Sequence, residues 1–494
     1  MIRVQALPHY DCDVLIAGGG PSGSGLAFHL ASAGLKVIVA ESGVFPRDKV
    51  CGDGVSPIAL AELAAMGIAE AAQFNQANEI KRVGLFLEND KVSIKLSKPE
   101  HLPYHARIIP RRELDNWIYE AAQKAGAEYL EGTRVTDFDI QSDGALVRLR
   151  TTDADFTLNA RMIVGADGGR STLARRMHGA KPQESDQLLG LRAYYKNVNG
   201  PTDQVDIYFN DSGFPGIMWL FPKGPQDANI GIAMVAKTFP KKPDHIKEIL
   251  LAHINNNPDI KRRIGDGEPD DKIRGWPITI YNPRNRVSDA RILLVGEAAG
   301  LINPLSGDGI QYALLSARWA AATIIDCVQR NSFTRQDLDA YARKVKQEVS
   351  YDFALSNLLV HVPRNKTFNR VWIRVLTSMI AQARDDGAYA DTIAGVFEGT
   401  YPSYKAVSLS FILKSLKQFG LEAGKDLGAT LQNPQHALSS GAELTRDIFT
   451  MLEELKDNPR DNISWLGDGL VQSASVLAHL VKSLDARSLK NILS

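Results

Sequence analysis

The sequence predicts an α/β fold in three parts: a parallel-sheet domain of the Rossmann type, an antiparallel-sheet domain beside it, and an α-helical C-terminal region. Three observations predict it. The apolar run Asp13-Val14-Leu15-Ile16-Ala17 feeds straight into Gly18-x-Gly20-x-x-Gly23 and a helix-compatible segment. Two later apolar strands, within 161–171 and 291–300, end in acidic glycine turns. Between about 185 and 280 short runs alternate with turn residues, whereas after about 326 apolar residues recur at helical spacing.

Each element of the first unit has a physical reason. Gly18 allows the tight turn, Gly20 lets a pyrophosphate approach the backbone, and Gly23 allows close strand–helix packing. The following helix aims its unpaired N–H groups and positive dipole end at the loop. A second strand, Lys36-Val37-Ile38-Val39-Ala40, ends on Glu41, 23 residues after Gly18, where an acid can hold ribose hydroxyls. A glycine motif by itself is weak. Strand, glycines, helix, strand and acid in register predict a bound dinucleotide. Downstream, Arg107-Ile108-Ile109-Pro110 leads into a helix through Trp117 to Lys124 that ends near Gly126, and a strand follows near Glu128 to Val135. One acidic strand end is Gly165-Ala166-Asp167-Gly168 and the other is Gly296-Glu297-Ala298-Ala299-Gly300. Asn303-Pro304-Leu305-Ser306-Gly307-Asp308-Gly309-Ile310 then opens a long apolar helix.

The nucleotide domain is expected to be discontinuous, taking 1–81, 105–180 and 285–330. Residues 82–104 and 181–284 form the antiparallel sheet, with strands at Leu191 to Lys196, Gln204 to Phe209, Met218 to Phe221 and Ile230 to Val235. Residues 331–494 form the helical region, with helices at Val345 to Leu359, Val371 to Arg384, Ala406 to Phe419 and Asn462 to Leu484. Pro363, Pro402, Pro434 and Pro459 fall between helices. The apolar faces of these helices are expected to pack on one another. Contact with lipid or another subunit is the alternative, with Lys405, Lys414 and Lys417 as weak markers of a membrane surface.

Composition narrows the classes. Apolar residues make up 44% of the 494, ordinary for a globular core, and 57 basic residues balance 57 acidic ones, which argues against a nucleic-acid partner. Cys12, Cys51 and Cys327 are too few and scattered for a disulfide framework or a metal site, so a reducing, cytoplasmic compartment and no metal are expected. Met1 to Tyr10 lacks the pattern of a secretory signal, and no apolar run reaches the roughly 18 residues of a bilayer span. A soluble protein, or one peripheral to a membrane, is the expectation.

The glycine unit and the two acidic strand ends, in this order, resemble the glutathione-reductase-like FAD superfamily, and within it the aromatic-hydroxylase branch. The resemblance implies FAD as cofactor, with Asp167 at the pyrophosphate and ribose and Glu297 on the ribityl chain, where Asp is usual. It also implies that the helix opened by Gly307 and Gly309 faces the flavin pyrimidine, where its N-terminus stabilises negative charge on a reduced flavin. Arg111-Arg112-Glu113-Leu114-Asp115 matches the family's Arg-x-x-Leu/Phe-Asp pattern, which implies Arg111 at the phosphates, with Arg112 the competing choice. Implied cofactor contacts extend to Pro21, Ser22, Ser42, Gly296, Pro304 and Ile310, and to Val135 beside the adenine.

Two more segments resemble the geranylgeranyl reductase family, over roughly residues 10–330. Lys49-Val50-Cys51-Gly52-Asp53-Gly54 matches its Lys-x-Cys-Gly-x-Gly-like segment near the isoalloxazine. Gly216-Ile217-Met218-Trp219-Leu220-Phe221-Pro222-Lys223 matches its Gly-Tyr-x-Trp-x-Phe-Pro-Lys segment over the substrate cavity. Ser306 and Asp308 replace the Thr and Glu of its flavin-helix motif, and Ile217 replaces its tyrosine, so no phenol can donate a proton there. The resemblance implies an FAD-dependent oxidoreductase that adds a hydride and a proton across a double bond of an isoprenoid or other lipophilic substrate.

Cys51 and Asp53 are the catalytic candidates, and Cys51 and Gly52 are also implied cofactor contacts. Cys51 either delivers a proton or gates the substrate, or is a small residue packed under the ring. Asp53 either orients its neighbours or stabilises a turn. Ile217, Trp219 and Phe221 share one face of a strand, as tunnel wall or ordinary core. Arg47 and Lys49 read as solvated groups or phosphate contacts, and His178 and the other histidines show no ligand spacing. No second Gly-x-Gly-x-x-Gly lies between strands, so the electron donor is expected to be transiently bound NAD(P)H or a ferredoxin-like protein. One alternative is an FAD monooxygenase acting on an aromatic natural product, with a halogenase behind it because Ile217 and Phe221 break the Trp-x-Trp-x-Ile-Pro pattern. Another is a non-enzymatic flavin-bound protein whose helical tail docks a partner.

Overall fold

Strands that are apolar on both faces belong in the middle of a covered parallel sheet. Val14, Leu15, Ile16, Met162, Ile163, Val164, Leu293 and Leu294 are completely buried. A computed structural model describes residues 10–87, 90–96, 99–209, 216–238, 245–365, 369–401 and 459–483. It orders the parallel strands Ile292–Leu294, Asp155–Gly165, Cys12–Ala17, Val37–Ala40 and Glu128–Leu130. Helices Pro21–Ser32 and Ile310–Arg330 pack against each other beside it. The α/β class expected from the sequence is the one observed.

The single strand expected from Glu128 to Val135 is two. Gly132 adopts a left-handed backbone (φ 62°), and the chain swings out of the parallel sheet there. Arg134–Ile140 continues into an antiparallel wing with Ala145–Arg150 and the first half of Asp155–Gly165.

The second sheet runs in the order Glu268–Pro269, Gln187–Lys196, Ala228–Val235, Gly216–Pro222, Gln204–Phe209, Arg82–Leu87 and Asp90–Lys95. Arg274–Thr279 also pairs with Gln187–Lys196. Every expected strand of this region falls within one of these. One pair breaks the antiparallel rule: Gln204–Phe209 runs parallel to Arg82–Leu87, because the chain passes through the nucleotide domain between them.

The described C-terminal helices are Arg335–His361, Asn369–Asp385, Gly387–Glu398 and Pro459–Ser483. Pro363 lies in a short 3₁₀ turn between two of them. Pro459 opens the last helix instead of lying outside it, a position where its missing N–H costs no hydrogen bond. The segment Ala406 to Phe419, with Pro402, Pro434, Lys405, Lys414 and Lys417, lies outside the described residues. The helices do not pack only on one another. Leu338, Tyr341, Val345, Val349 and Phe353 join Leu294 and Trp319 in the core of the nucleotide domain. Leu376, Ile380, Tyr389 and Ile393 instead join Val83, Leu85 and Ile207 of the second sheet. Their apolar stripes were therefore shaped to fit two sheets. No helix among the described residues is long and apolar enough to cross a membrane.

Candidate active site

Where the two sheets and the helical region meet, one cavity of about 1650 Å³ opens. Small-molecule sites typically occupy roughly 300–1,000 Å³, so this one has room for a cofactor and a second molecule. Gly18, Gly20, Pro21, Ser22, Glu41 and Ser42 line one end, with Arg111, Val135, Asp167 and Glu297. Pro304, Gly307, Gly309 and Ile310 line the same wall further in. Gly23 and Gly296 sit behind that lining.

Backbone shape dominates the first end. Gly18 has φ 99°, and a Cβ there would lie 2.5 Å from the Ala166 carbonyl oxygen. At Gly23 a Cβ would lie 1.9 Å from the Gly18 oxygen, so strand and helix touch through bare backbone. Gly296 (φ 56°) meets Ser22 in the same way, at 2.6 Å from Oγ. Gly20 and Gly307 are different. A Cβ at Gly20 would meet only the tip of Arg47, at 3.9 Å, and one at Gly307 would meet nothing within 4 Å. Both face open space. The helix that begins after Gly20 carries no side-chain cap, so its N–H groups are left for a ligand, whereas in the helix after Gly309 the Asp308 carboxylate accepts the Gln311 amide at 3.4 Å.

The charges follow the same plan. Glu41 accepts the Gly19 and Gly43 amides, each at 2.8 Å, and the Arg47 guanidinium at 3.0 Å. Burial pushes its carboxyl up, but Arg47 and the two amides outweigh this and hold it below the usual carboxylate range. Arg111 forks onto Asp115 at 2.6 and 2.8 Å, and Arg47 reaches the same carboxylate at 2.9 Å. Arg111 is buried and lines the cavity, whereas Arg112 is exposed and does not. Asp167 accepts the Thr172 amide through Oδ2 at 2.7 Å, while its buried Oδ1 has no partner among the described residues. Burial pushes this carboxyl up. An unpartnered oxygen, an uncapped helix end and an open glycine cradle fit a bound dinucleotide.

At the junction lies the Cys51–Gly54 loop. Cys51 lines the cavity as a free thiol; burial pushes it up, and the Arg111 guanidinium only partly offsets this. Gly52 slips beneath Trp219 and Phe221, where a Cβ would lie 3.3 Å from the Phe221 ring. Asp53, the other catalytic candidate from the sequence, lies behind this wall. It is completely buried with φ 64°, and it is not part of the cavity wall. Its Oδ2 accepts the Tyr194 hydroxyl and Asn229 Nδ2, both at 2.8 Å, and Oδ1 accepts the Arg111 amide at 3.3 Å. These bonds tie the loop to the second sheet and to the start of the Arg111–Lys124 helix. Burial pushes its carboxyl up to about 6.

Asn229 ties the junction together. Its Nδ2 also donates to the Cys51 carbonyl at 2.7 Å, and its Oδ1 accepts the Trp219 indole N–H at 2.9 Å. Sequence reasoning missed this residue, although a lone amide inside the apolar strand Ala228–Val235 was the available signal. It also missed Tyr194, held between the Arg192 guanidinium at 3.9 Å and the Lys223 amine at 3.8 Å. Lys49 is half-buried. Its amine sits 3.4 Å over the Trp276 ring on the cavity wall, and burial pushes it down to about 8. His178 bonds the Arg286 carbonyl at 2.8 Å, away from the cavity.

The far end is apolar. Ile217, Trp219 and Phe221 face it from one strand, as the alternation of strand side chains requires. Val83, Leu85 and Ile207 add neighbouring strands, and Trp372, Leu376, Met379, Ile393 and Phe397 close it from the helices.

A family model described as "FAD binding domain" matches residues 11–350. The chain belongs to this family. It is an FAD-dependent oxidoreductase, and the cradle described above is where FAD fits. Among its relatives, the menaquinone reductase of Mycolicibacterium smegmatis is 30% identical over 317 residues, 63% of this chain and 75% of that one. The digeranylgeranylglycerophospholipid reductase of Thermoplasma acidophilum is 27% identical over 340 residues, 68% of this chain and 83% of that one. A solved geranylgeranyl bacteriochlorophyll reductase-like protein from the same organism has a TM-score of 0.61 at 22% identity, over 85% of this flavoprotein and all but 2% of its own length. A flavin-dependent halogenase has a TM-score of 0.62 at 20% identity, over 75% of this chain and 72% of that one. At such identities the solved structures speak for the fold. The resemblance to geranylgeranyl reductases read from the sequence is borne out.

Proposed function

We propose that this flavoprotein reduces carbon–carbon double bonds of an isoprenoid or similarly lipophilic substrate. One observation carries the reading: the glycine cradle and an apolar chamber are two ends of a single cavity. Two relatives named as reductases, one of menaquinone and one of digeranylgeranylglycerophospholipid, support it. When bound, FAD supplies the hydride. The chain does the rest. Arg111 and Arg47, sharing Asp115, offer charge to the phosphates, and Ile217, Trp219 and Phe221 hold the apolar chain dry and oriented beside the Cys51 loop. Asp53 and Asn229 keep that loop in place from behind.

The electron donor in this reading is transiently bound NAD(P)H or a ferredoxin-like protein. The helical region is the part that would meet a membrane surface, its Pro459–Ser483 helix exposing Ile463, Leu466, Leu470 and Val471. Enzyme reduced with dithionite and mixed anaerobically with prenyl alkenes tests the proposal: flavin absorbance returns as the substrate is reduced. No reoxidation by any alkene overturns it. Oxygen uptake coupled to an aromatic compound would favour a monooxygenase.

A further inference from the structure

Glu398, the last residue of the Gly387–Glu398 helix, lines the cavity. Both its partners are distant: the Ala106 amide and the Thr400 hydroxyl, each at 3.4 Å. No cation pairs with it among the described residues. Arg107, next to Ala106, turns its guanidinium to the Phe74 and Ala77 carbonyls instead. The acids nearby are Asp391 on its own helix and Asp308, whose Oδ2 would lie 3.0 Å from a Cβ at Gly399. Burial, with Asp391 adding to it, pushes the Glu398 carboxyl up to about 7, and burial pushes Asp308 up to about 6. A carboxyl without a cation in an apolar wall keeps its proton near neutrality.

Two further observations point the same way. A pocket of about 130 Å³ adjoins the cavity, and Asp308 lines both. Thr400 lies between Glu398 and this pocket, which also holds Asp352, Gln311, Tyr312 and Tyr401. Meanwhile Ile217, on the opposite sheet, puts an apolar side chain where the sequence resemblance calls for a phenol.

We propose that Glu398 is the acid that protonates the substrate, reloaded through Thr400 and the adjoining pocket. The inference rests on the reductase reading above. As the π bond breaks, one carbon accepts the hydride with its electron pair, supplied by the reduced cofactor. The other carbon uses the π electrons to bond the proton of the Glu398 hydroxyl, and the O–H electrons stay on the carboxylate. A proton from solvent then restores the acid.

The test follows anaerobic reoxidation of prereduced wild type, Glu398→Gln, Glu398→Asp and Cys51→Ala by a prenyl alkene. In wild type the rate should fall as pH rises through about 7, because the protonated acid is consumed by titration. Glu398→Gln should keep its flavin but slow the half-reaction roughly 10²–10⁴-fold, the usual worth of a general acid. Glu398→Asp should recover part of the rate with a shifted pH profile, and a fall with pH that vanishes in Cys51→Ala would assign the proton to the thiol and overturn the proposal. Independently of turnover, infrared difference spectra should show a protonated-carboxyl band that titrates near pH 7 and vanishes in Glu398→Gln. A Gln variant with wild-type rate and profile, or a missing band, overturns the assignment. Should the Gln variant lose its flavin, an unshifted profile in Glu398→Asp overturns it instead. Wild type that no alkene reoxidises, with the band present, brings down the reductase reading and not the protonation state of Glu398.

Discussion

The two ends of the cavity are built by different means. At the cofactor end the wall is backbone: Gly18, Gly23 and Gly296 let strand, loop and helix touch where no Cβ fits. At the substrate end it is side chains from distant segments, with Leu85, Trp219, Trp372 and Ile393 meeting across a sheet and two helices. A wall of backbone cannot yield, because its atoms have no rotamers to change. A wall of side chains can be retuned one residue at a time, which suits a fold whose relatives act on different molecules.

Gly23→Ala should therefore have the largest effect. The new Cβ would lie 1.9 Å from the Gly18 carbonyl oxygen, and that backbone atom cannot swing aside. The variant should purify without bound FAD and with a lowered Tm, as read from the visible spectrum and thermal melts. Gly20→Ala sharpens the point. Its Cβ meets only the tip of Arg47 at 3.9 Å, so the Tm should hold while FAD affinity drops. If both variants stay yellow with unchanged affinity, the cofactor end is not the backbone cradle described.

The junction comes next. Asn229→Leu removes two bonds to the Cys51–Gly54 loop and leaves the Trp219 N–H unpaired. Stranding buried polar groups costs about 1–3 kcal/mol each, so a loss of about 2–4 kcal/mol in urea unfolding is expected. The pH dependence has a definite sign. The folded Asp53 carboxyl lies near 6, above its ordinary value of 3.8, so the folded state disfavours its charged form. Its contribution is most favourable at low pH and is lost as pH rises toward 6 and beyond. Removing a donor from the carboxylate makes this worse, so the Asn229→Leu deficit should be largest above pH 6 and shrink below it. A deficit independent of pH would remove Asp53 from the network.

Legibility divides along the same line. The glycines, Pro21, Glu41 and the strands beside them are contiguous in the chain, so spacing carries their geometry. Helical period also sorts Arg111 from Arg112, since Arg111 shares its buried face with Leu114, Asp115 and Ile118. The substrate chamber had no comparable signal. Trp372, Ile393 and Glu398 sit on helices whose apolar faces look ready for mutual packing, and only tertiary contact shows that they cover the second sheet. Asp53 was hidden for another reason. Between two glycines no period shows which way a side chain faces, and its left-handed backbone turns it inward to Tyr194 and Asn229.

Lys49 belongs to neither end, and its replacement should have the smallest effect. Its amine lies over Trp276 on the cavity wall, and burial, only partly offset by the Glu297 carboxylate, brings it down to about 8 from the ordinary 10.5. Below pH 8 it adds a positive charge to a cavity that takes an anionic cofactor, and above pH 8 that charge is lost. FAD affinity of the wild type should therefore weaken as pH rises from about 7 to 9. A cation of this kind is worth about 1 kcal/mol, so Lys49→Met should weaken binding by roughly fivefold at neutral pH and flatten the slope. Titration of apoprotein with FAD at several pH values, followed by flavin fluorescence, measures both. A variant that keeps the wild-type slope would assign the titration to another group and return Lys49 to a packing role against Trp276.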